Sequence, residues 1–251
     1  MDLSSEVLIA ATFIFFFAAL IHGSIGFGFP MVATPLLALV TDIQTAIILT
    51  LIPTLLVNLA SIASEGNILY ALRRHLSLAL LAMGGSAIGT IILIFTNSHI
   101  FEALLSLVII TYLLSDRIKI NLSWIHLYPR LSKVVFGISA GILGGLTNVM
   151  APILIIYSLE SKHTRSETIQ ASNFCFMFGK IIQLVLFSIH GKFNLSELSI
   201  SLVMLIAVSL ALCLGINLKK KINVNVYKRV LRVFLSVLAM ILLIKVSYIQ
   251  A

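Results

Sequence analysis

Long apolar segments separated by short polar ones dominate the chain. Hydropathy divides the sequence into eight apolar blocks, at about residues 7–41, 45–64, 76–96, 100–115, 131–159, 168–190, 197–217 and 230–249. About 20 apolar helical residues cross a hydrocarbon layer of roughly 30 Å. A lone strand cannot satisfy its backbone hydrogen bonds in lipid, so nearly all blocks are predicted to be helices. The pattern predicts an all-α polytopic membrane protein with about 8–10 membrane segments.

The first block is too long for a single crossing. It contains the stretch HGSIGFGFPMVATP, from His22 to Pro35, in which three glycines and two prolines interrupt the apolar run. A continuous helix over the whole block would extend about 52 Å. Glycine and proline disfavour a helix interior, so we expect a break here. The block is then either two spans or a hairpin that enters and leaves on the same side.

The two halves of the chain resemble each other in the order of their features. GSIGFGFPMVATPLL (Gly23–Leu37) and GILGGLTNVMAPILI (Gly141–Ile155) each contain a glycine cluster followed by proline. SEGNI (64–68) and IHGKF (189–193) each close a later apolar block. Self-similarity of this kind indicates an internal repeat.

Two further glycines keep the same spacing in both halves. Gly89 and Gly215 lie 23 and 24 residues after the glycines of the closing stretches. We therefore predict a first membrane repeat over 1–125 and a second over 126–251, which together form one transport domain.

Composition excludes an ordinary soluble domain. The chain of 251 residues is 60% hydrophobic and only 10% charged, with a mean hydropathy of +1.13, whereas soluble domains have about 25% charged residues. The formal net charge of +8 is explained by the basic loops that membrane proteins place on the cytoplasmic side. We therefore predict no nucleic-acid partner.

Lysine and arginine positions select between the two topologies. Of 17 such residues, 16 lie outside the apolar blocks. Eight single crossings would place eight on each side. If blocks one and five turn back at their glycines, the distribution becomes 14 against 2. An excess of Lys and Arg marks the cytoplasmic side, so we predict hairpins in both blocks, both termini outside, and two repeats of opposite orientation.

Broken helices at membrane depth are typical of substrate sites. Irregular backbone is tolerated there only beside protein or water, and transporters with inverted repeats place it near the midplane. A helix that begins inside the membrane presents its positive end to an anion. Pro30 is predicted as a first helical residue, and Thr147 and Asn148 as N-caps. Alternatively, the small residues only allow close helix packing.

Lys180 is the basic residue that lies well inside an apolar block. An ionisable group at that position is a candidate for substrate contact or proton transfer, and a snorkelling lysine is the alternative. Asn173 and Gln183 recur at helical spacing from it, and Asn58 corresponds to Gln183 in the first half. For these amides, interhelical hydrogen bonding is the alternative to substrate contact.

His22 precedes the glycines of the first break and is a candidate proton relay. Hydrogen bonding to the broken backbone is the other role that the position allows. The remaining histidines lie at segment ends, where we expect interfacial roles: His75, His99, His126, His163 and His190. No protease, hydrolase or nucleotide-binding motif and no cysteine pair with metal spacing is present, so we predict neither an enzyme nor a cofactor or metal site.

The glycine-rich motifs resemble the TauE/SafE sulfite exporter family. The matching stretches are GSIGFGFPMVATPLL and GISAGILGGLTNVMAPIL, with EGNI and HGKF closing the blocks that follow. The resemblance extends over essentially the whole chain. It implies a permease of the prokaryotic inner membrane that carries small sulfur-containing anions, such as sulfite or organosulfonates.

Together, these observations predict a secondary transporter that moves a small anion by alternating access, with a midplane site between two broken-helix hairpins. An anion channel and a non-transporting membrane protein are the alternatives. The lipid bilayer is the surrounding partner, and a coupling ion (proton or sodium) and a homodimer remain open. The predicted substrate-binding residues are Ser24, Gly26, Gly28, Phe29, Pro30, Asn58, Gly144, Gly145, Thr147, Asn148, Asn173, Lys180 and Gln183.

Overall fold

The computed structural model describes residues 5–96, 98–114 and 124–219, together with Ser236, Met240 and Ile241. Within these residues the chain forms ten α-helices and no strand. The helices are α1 (Ser5–Ile25), α2 (Phe29–Val40), α3 (Ile43–Ser64), α4 (Ile68–Phe95), α5 (Ser98–Leu114), α6 (Trp124–Leu127), α7 (Pro129–Thr147), α8 (Ala151–Glu160), α9 (Arg165–Ile189) and α10 (Leu195–Lys219). The predicted eighth block lies almost wholly outside the described residues.

The helices confirm the prediction of an all-α polytopic membrane protein. In the described part of the chain, five helices are long and apolar enough to cross a membrane: α1, α3, α4, α9 and α10. Blocks one and five are broken, as predicted, since each forms two helices separated by three residues. Their second helices, α2 and α8, have 12 and 10 residues and extend only about 18 and 15 Å. Neither reaches across a bilayer.

Polar side chains cap the starts of three long helices, and a glycine turn follows the ends of two. Asp42, Asn67 and Thr164 cap α3, α4 and α9, and each accepts a hydrogen bond from the backbone N–H three residues later. Side-chain caps of this kind satisfy N–H groups that have no partner within the helix. Gly66 and Gly191 follow α3 and α9 with φ of 127° and 66°. The predicted closing stretches are therefore glycine turns at helix ends.

The same order of helices occurs twice. A long helix, a short helix and two long helices make up α1 to α4 and again α7 to α10. The most extensive helix contacts are those of α4 with α7 and of α1 with α10, while α3 and α9 contact each other between them. If α1–α4 are exchanged with α7–α10, the contact of α4 with α7 becomes the contact of α10 with α1. This symmetry agrees with the predicted repeats. The division at residue 125 stays a prediction.

Glycines let the helix backbones meet at corresponding places in both sets. A Cβ atom added to Gly23 of α1 would lie 3.0 Å from the Cα of Gly215 in α10. A Cβ atom on Gly145 of α7 would lie 2.8 Å from the Cα of Gly89 in α4. In both cases a carbonyl oxygen of the partner helix would be only 2.6 Å away. Small residues of this kind let membrane helices pack closely.

The glycine contacts correct the register of the sequence comparison. Gly23 and Gly145 correspond in the structure, a spacing of 122 positions (145 − 23), whereas the sequence comparison began its second stretch at Gly141. The same spacing matches Pro30 with Pro152, and each is the second residue of its short helix. The repeat therefore places proline at the same point of both breaks.

The contact between α4 and α7 gives a prediction about stability. Replacing Gly89 by alanine would put its Cβ 2.3 Å from the carbonyl oxygen of Ile142. Because backbone lies against backbone, the two helices must move apart, which typically costs about 1–3 kcal/mol. We expect Gly89→Ala to lower the melting temperature of the purified protein in detergent by several degrees.

Gly84 provides the matched control, since it lies in the same helix with no atom near its Cβ position. Gly84→Ala should melt at the temperature of the parent or slightly above it, because alanine favours a helix over glycine. Equal melting temperatures for the two variants would contradict the close contact of α4 and α7.

Candidate functional site

The first helix break depends on two glycines in the left-handed region. Gly26 has φ of 100° and Gly28 has φ of 110°, values that side chains other than glycine rarely adopt. The N–H of Gly26 donates to the carbonyl of His22 over 2.6 Å and ends α1. α2 then begins at Phe29, one residue before the predicted start at Pro30.

His22 connects the break to helix α3. Its Nδ1 accepts a hydrogen bond from the N–H of Phe29 over 3.2 Å, and its Nε2 lies 2.8 Å from the Oγ of Ser61. Because Nδ1 accepts, the ring proton lies on Nε2 and is donated to Ser61. The ring therefore caps α2 in place of a conventional N-cap residue. Of its two proposed roles, the geometry supports hydrogen bonding to the broken backbone, while proton transfer stays a prediction.

Ser24 and Phe29, two further residues predicted to bind substrate at this break, both contact other parts of the protein. Ser24 donates its hydroxyl to the carbonyl of Leu20 within α1 over 2.8 Å. The Phe29 ring is fully buried and lies 5.6 Å from the ring of Phe15 between centroids. Both residues thus support the turn from inside the protein.

The second break uses an asparagine where the first uses glycine. Asn148 has φ of 66° and ψ of 14°, and its N–H donates to the carbonyl of Gly144 over 2.9 Å. Asparagine is the residue that most often replaces glycine at this position after a helix. Its side-chain Nδ2 donates to the hydroxyl oxygens of Thr34 and Thr50, over 2.6 and 2.8 Å. One residue therefore makes the turn and links it to α2 and α3.

The prediction that Thr147 and Asn148 are N-caps of the second short helix is wrong. Thr147 is the last residue of α7, and its hydroxyl donates to the carbonyl of Leu143 over 2.8 Å. Threonine commonly bonds to the carbonyl four residues earlier when it lies in a helix. The N-cap of α8 is Met150, which makes no side-chain cap bond. Its side chain packs on Gly144, where a Cβ would lie 2.3 Å from its Cε atom.

The central helix α9 makes one hydrogen bond to the first break and one to the last turn of α7, just before the second break. The Nδ2 of Asn173 donates to the carbonyl of Gly26 over 2.7 Å, and the Nε2 of Gln183 donates to the carbonyl of Gly145 over 3.3 Å. These two positions are separated by ten residues, which is about 15 Å along the helix axis. The first break therefore contacts α9 at Asn173, and the end of α7 contacts it at Gln183. The interval between Asn173 and Gln183 is centred on the middle of α9. A midplane site between the two hairpins stays a prediction.

Lys180 lies inside this interval and is fully buried. Its Nζ donates to the side-chain oxygen of Gln183. In the described part of the chain it has no carboxylate partner. A buried ammonium group with one amide partner is incompletely solvated by the protein. When this side chain is protonated, it brings to the site a positive charge that no described carboxylate offsets.

Several buried polar atoms in the same region have no hydrogen-bond partner among the described residues. They are the hydroxyl of Thr54, both amide atoms of Asn58, and the side-chain oxygens of Asn148 and Asn173. Buried polar groups are normally hydrogen-bonded, so unpaired ones indicate a site for water, an ion or a ligand. Lys180, Thr54 and the Asn58 amide supply hydrogen-bond donors, as an anion requires.

Three threonines of this region were not predicted as site residues from the sequence. Thr50 and Thr54 precede Asn58 at intervals of four residues on α3, and Thr34 of α2 contacts Asn148. An interval of four places Thr50, Thr54 and Asn58 on one face of a helix. This periodic polar stripe within an apolar block was the available signal. No pattern along the chain indicated Thr34.

Comparison with known proteins was made on the whole chain. A family model described as "Sulfite exporter TauE/SafE" matches residues 11–242. The chain belongs to this family. A search of curated proteins and a search of solved structures found no significant match.

Membership of the TauE/SafE family identifies a membrane transport protein and not an enzyme. Members are described as exporters of sulfite, so a small anion is the expected substrate class. In the described residues, no group of three or more His, Cys, Asp or Glu side chains is arranged to hold a metal ion. The polar interval between the breaks is therefore the candidate site of this TauE/SafE protein.

The conformation of Asn148 gives a second prediction. Alanine is disfavoured by about 1–2 kcal/mol in the left-handed region, whereas glycine adopts it freely. Both substitutions remove the hydrogen bonds to Thr34 and Thr50. We therefore expect Asn148→Ala to melt several degrees below Asn148→Gly. Equal stability of the two variants, measured under the same detergent conditions, would contradict the left-handed turn.

Proposed function

We propose that this TauE/SafE protein is a secondary transporter for a small anion, sulfite or an organosulfonate, with its substrate site between the two helix breaks. The observation that carries the proposal is Lys180, a fully buried lysine without a carboxylate partner in the described residues, which a bound anion would hold in its charged form. It lies on α9 between Asn173, which contacts the first break, and Gln183, which contacts the end of α7 just before the second break.

A bound anion would meet the unfilled requirements of this interval. An isolated buried charge is expensive in a low-dielectric environment unless an opposite charge or a full set of hydrogen bonds compensates for it. A sulfite or sulfonate group supplies negative charge and several acceptor oxygens. Lys180, Thr54 and Asn58 would donate to them, while the glycines of both turns allow backbone to approach. The choice of sulfur oxyanions comes from the family.

The separate hydrogen bonds at the two breaks support alternating access. The first turn is held by His22 and Asn173, and the second by Asn148 and by the Gln183 contact with the end of α7. Breaking these bonds at one turn would open one end of the site while the other turn stays closed. Gly26 and Gly28 would absorb the backbone change in the first half. In this proposal the repeats are inverted in the prokaryotic inner membrane, with both termini outside.

An anion channel is the second candidate function, because a channel filter can also use broken helices. The fully buried environment of Lys180 favours a transporter, since a conducting pore keeps its lining polar groups in contact with water. Flux measurements separate the two. A transporter gives saturable exchange that is stimulated by substrate on the opposite side, whereas a channel gives conductance that rises linearly with the gradient.

Replacement of Lys180 tests the proposed site. Lys180→Met removes the amino group and leaves an unbranched side chain that is one atom shorter. We expect saturable sulfite uptake into proteoliposomes to fall by about tenfold to a hundredfold, the range for losing a hydrogen bond to a charged group. Monodisperse elution of the variant from size-exclusion chromatography would confirm that it is folded.

Lys192 is the matched control, because it is an exposed lysine in the loop after α9. Lys192→Met removes the same charge outside the site and should leave uptake unchanged. If a folded Lys180→Met variant transports sulfite and methanesulfonate with parental KM and maximal rate, the proposed substrate site is wrong.

A further inference from the structure

A second set of positive charges surrounds a cavity at the opposite end of α8 from the second break. The cavity has a volume of about 370 Å³ and lies between the starts of α4 and α7, the end of α8 and the loop that leads to α9. Arg74, Arg130 and Lys133 line it, together with three histidines. In the described part of the chain its lining contains no acidic residue. We call it the basic cavity.

The positive charges of the basic cavity are only partly compensated. Arg74 forms an ion pair of 2.7 Å with Glu167, which lies beside the cavity. Lys133 donates to the hydroxyl of Ser77 over 3.2 Å. Within the described residues neither Lys133 nor Arg130 has a carboxylate partner. One carboxylate therefore faces three cations, an excess of two positive charges.

Two imidazole rings in the lining have a nitrogen without a hydrogen-bond partner among the described residues. These atoms are Nε2 of His75, a residue only 4% exposed, and Nδ1 of His163. The two ring centroids are 5.6 Å apart. Burial lowers the pKa of His163 from its usual value, and Arg74 and Lys133 lower it further against the opposing charge of Glu167. A polar ligand in the cavity would satisfy the unpaired nitrogens.

The Lys and Arg excess expected on the cytoplasmic side does not by itself explain the basic cavity. Lys and Arg accumulate on the cytoplasmic side of membrane proteins, and solvent-exposed side chains are sufficient for that purpose. Arg74 and Arg130 are indeed exposed, but together with Lys133 they line a concave site that also contains a nearly buried histidine with an unpaired nitrogen. Concave clusters of one sign of charge concentrate counter-ions.

The corresponding position in the other half of the protein is apolar. A cavity of about 340 Å³ lies between α1 and α10, lined mainly by aliphatic side chains. The spacing of 122 positions that relates α1 to α7 matches Leu8 with Arg130. The spacing of 126 (215 − 89) that relates α4 to α10 matches Ile200 with Arg74. Leu8 and Ile200 both line the apolar cavity. Of these two cavities, the one beside α4 and α7 is lined by basic side chains and the one beside α1 and α10 is not.

We propose that the basic cavity is a second anion site, which binds a small oxyanion of the sulfite or sulfonate class on the Lys/Arg-rich side of the membrane. Its role as an entry station for the transport site rests on the proposed function, whereas its anion binding does not. Tyr157 lines the cavity and lies seven residues along α8 from Met150 at the second break, about 10 Å of helix. Because the opposite cavity is apolar, substrate would be collected from one side of the membrane.

The single tryptophan of the chain reports on this cavity. Trp124 precedes the lining residues Ile125 and His126, and its ring stacks on Phe136 at 6.0 Å, which in turn lies 5.5 Å from Tyr157. Titration of the purified full chain with sodium sulfate or methanesulfonate, at constant ionic strength in phosphatidylcholine nanodiscs, should give a saturable change in its fluorescence.

Variants show whether the fluorescence change arises from binding in the basic cavity. We expect the double variant Arg130→Gln/Lys133→Gln to weaken the apparent affinity at least tenfold, and Arg130→Lys to retain it. Lys162→Gln/Arg165→Gln is the matched control, since it removes two exposed charges from the neighbouring loop and the start of α9 and should leave the affinity unchanged. A response that survives in folded Arg130→Gln/Lys133→Gln, or no saturable response in the parent, would overturn the proposal.

The same titration separates a free anion from a lipid headgroup and from failure of the transport proposal. If added phosphatidylglycerol changes the fluorescence and sulfate does not, the cavity holds a lipid phosphate and the proposal fails. Lys180→Met should leave the fluorescence response intact. A response without sulfite flux in the parent would reject transport and keep the anion site. Sulfite flux in the parent without a fluorescence response would reject the anion site and keep the transport proposal.

Discussion

Backbone groups that two helix breaks expose inside an apolar protein must find polar partners, and this requirement organises the centre of the molecule. Water is scarce at that depth, and an unpaired N–H or carbonyl costs several kcal/mol in lipid. His22 accepts the N–H that begins α2, while Asn173 donates to a carbonyl of the first turn and Gln183 to a carbonyl in the last turn of α7. These side chains explain why helices made almost entirely of apolar residues contain buried amides and an imidazole.

The same requirement distinguishes structural polar groups from candidate ligand groups. Ser24, Thr147 and His22 are fully occupied by the backbone or by neighbours, so their polarity is explained by the fold. Lys180 and Asn58 are different, because the described residues leave them with one partner and none. Polar groups that remain unpaired after the backbone is satisfied are the ones that a transported anion would meet.

The sequence predicted the large-scale architecture well because its signals are local and strong. The apolar blocks and the breaks in blocks one and five are properties of short segments, and the structure contains them at those positions. The caps of the second break were not predictable in this way. Asn148 looked like an N-cap by residue type, and only the backbone conformation shows that it ends α7. Three-dimensional packing decides whether an asparagine at a break ends the first helix or begins the second.

The register of the repeat failed for a related reason. Glycines are frequent in both stretches, so several alignments pair glycine with glycine equally well. Helix contacts remove that ambiguity, since only Gly23 and Gly145 each meet a partner glycine, Gly215 or Gly89, across a crossing of the same geometry. Contacts between distant segments likewise brought His75 and His163 to one cavity, although each had been interpreted as an interfacial residue at a separate segment end.

Close backbone packing and side-chain charge therefore perform separate tasks in this protein. The glycine crossings repeat in both halves, and they impose a common scaffold on α1 with α10 and on α7 with α4. The side chains on that scaffold are not repeated. Gly26 is matched by Asn148, and Leu8 by Arg130. A symmetric scaffold allows two related conformations that open to opposite sides, while unequal side chains make the two sides chemically different. In a transporter with inverted repeats, unequal surfaces would let the two sides differ in affinity for the substrate, whereas the gradients across the membrane set the direction of net transport.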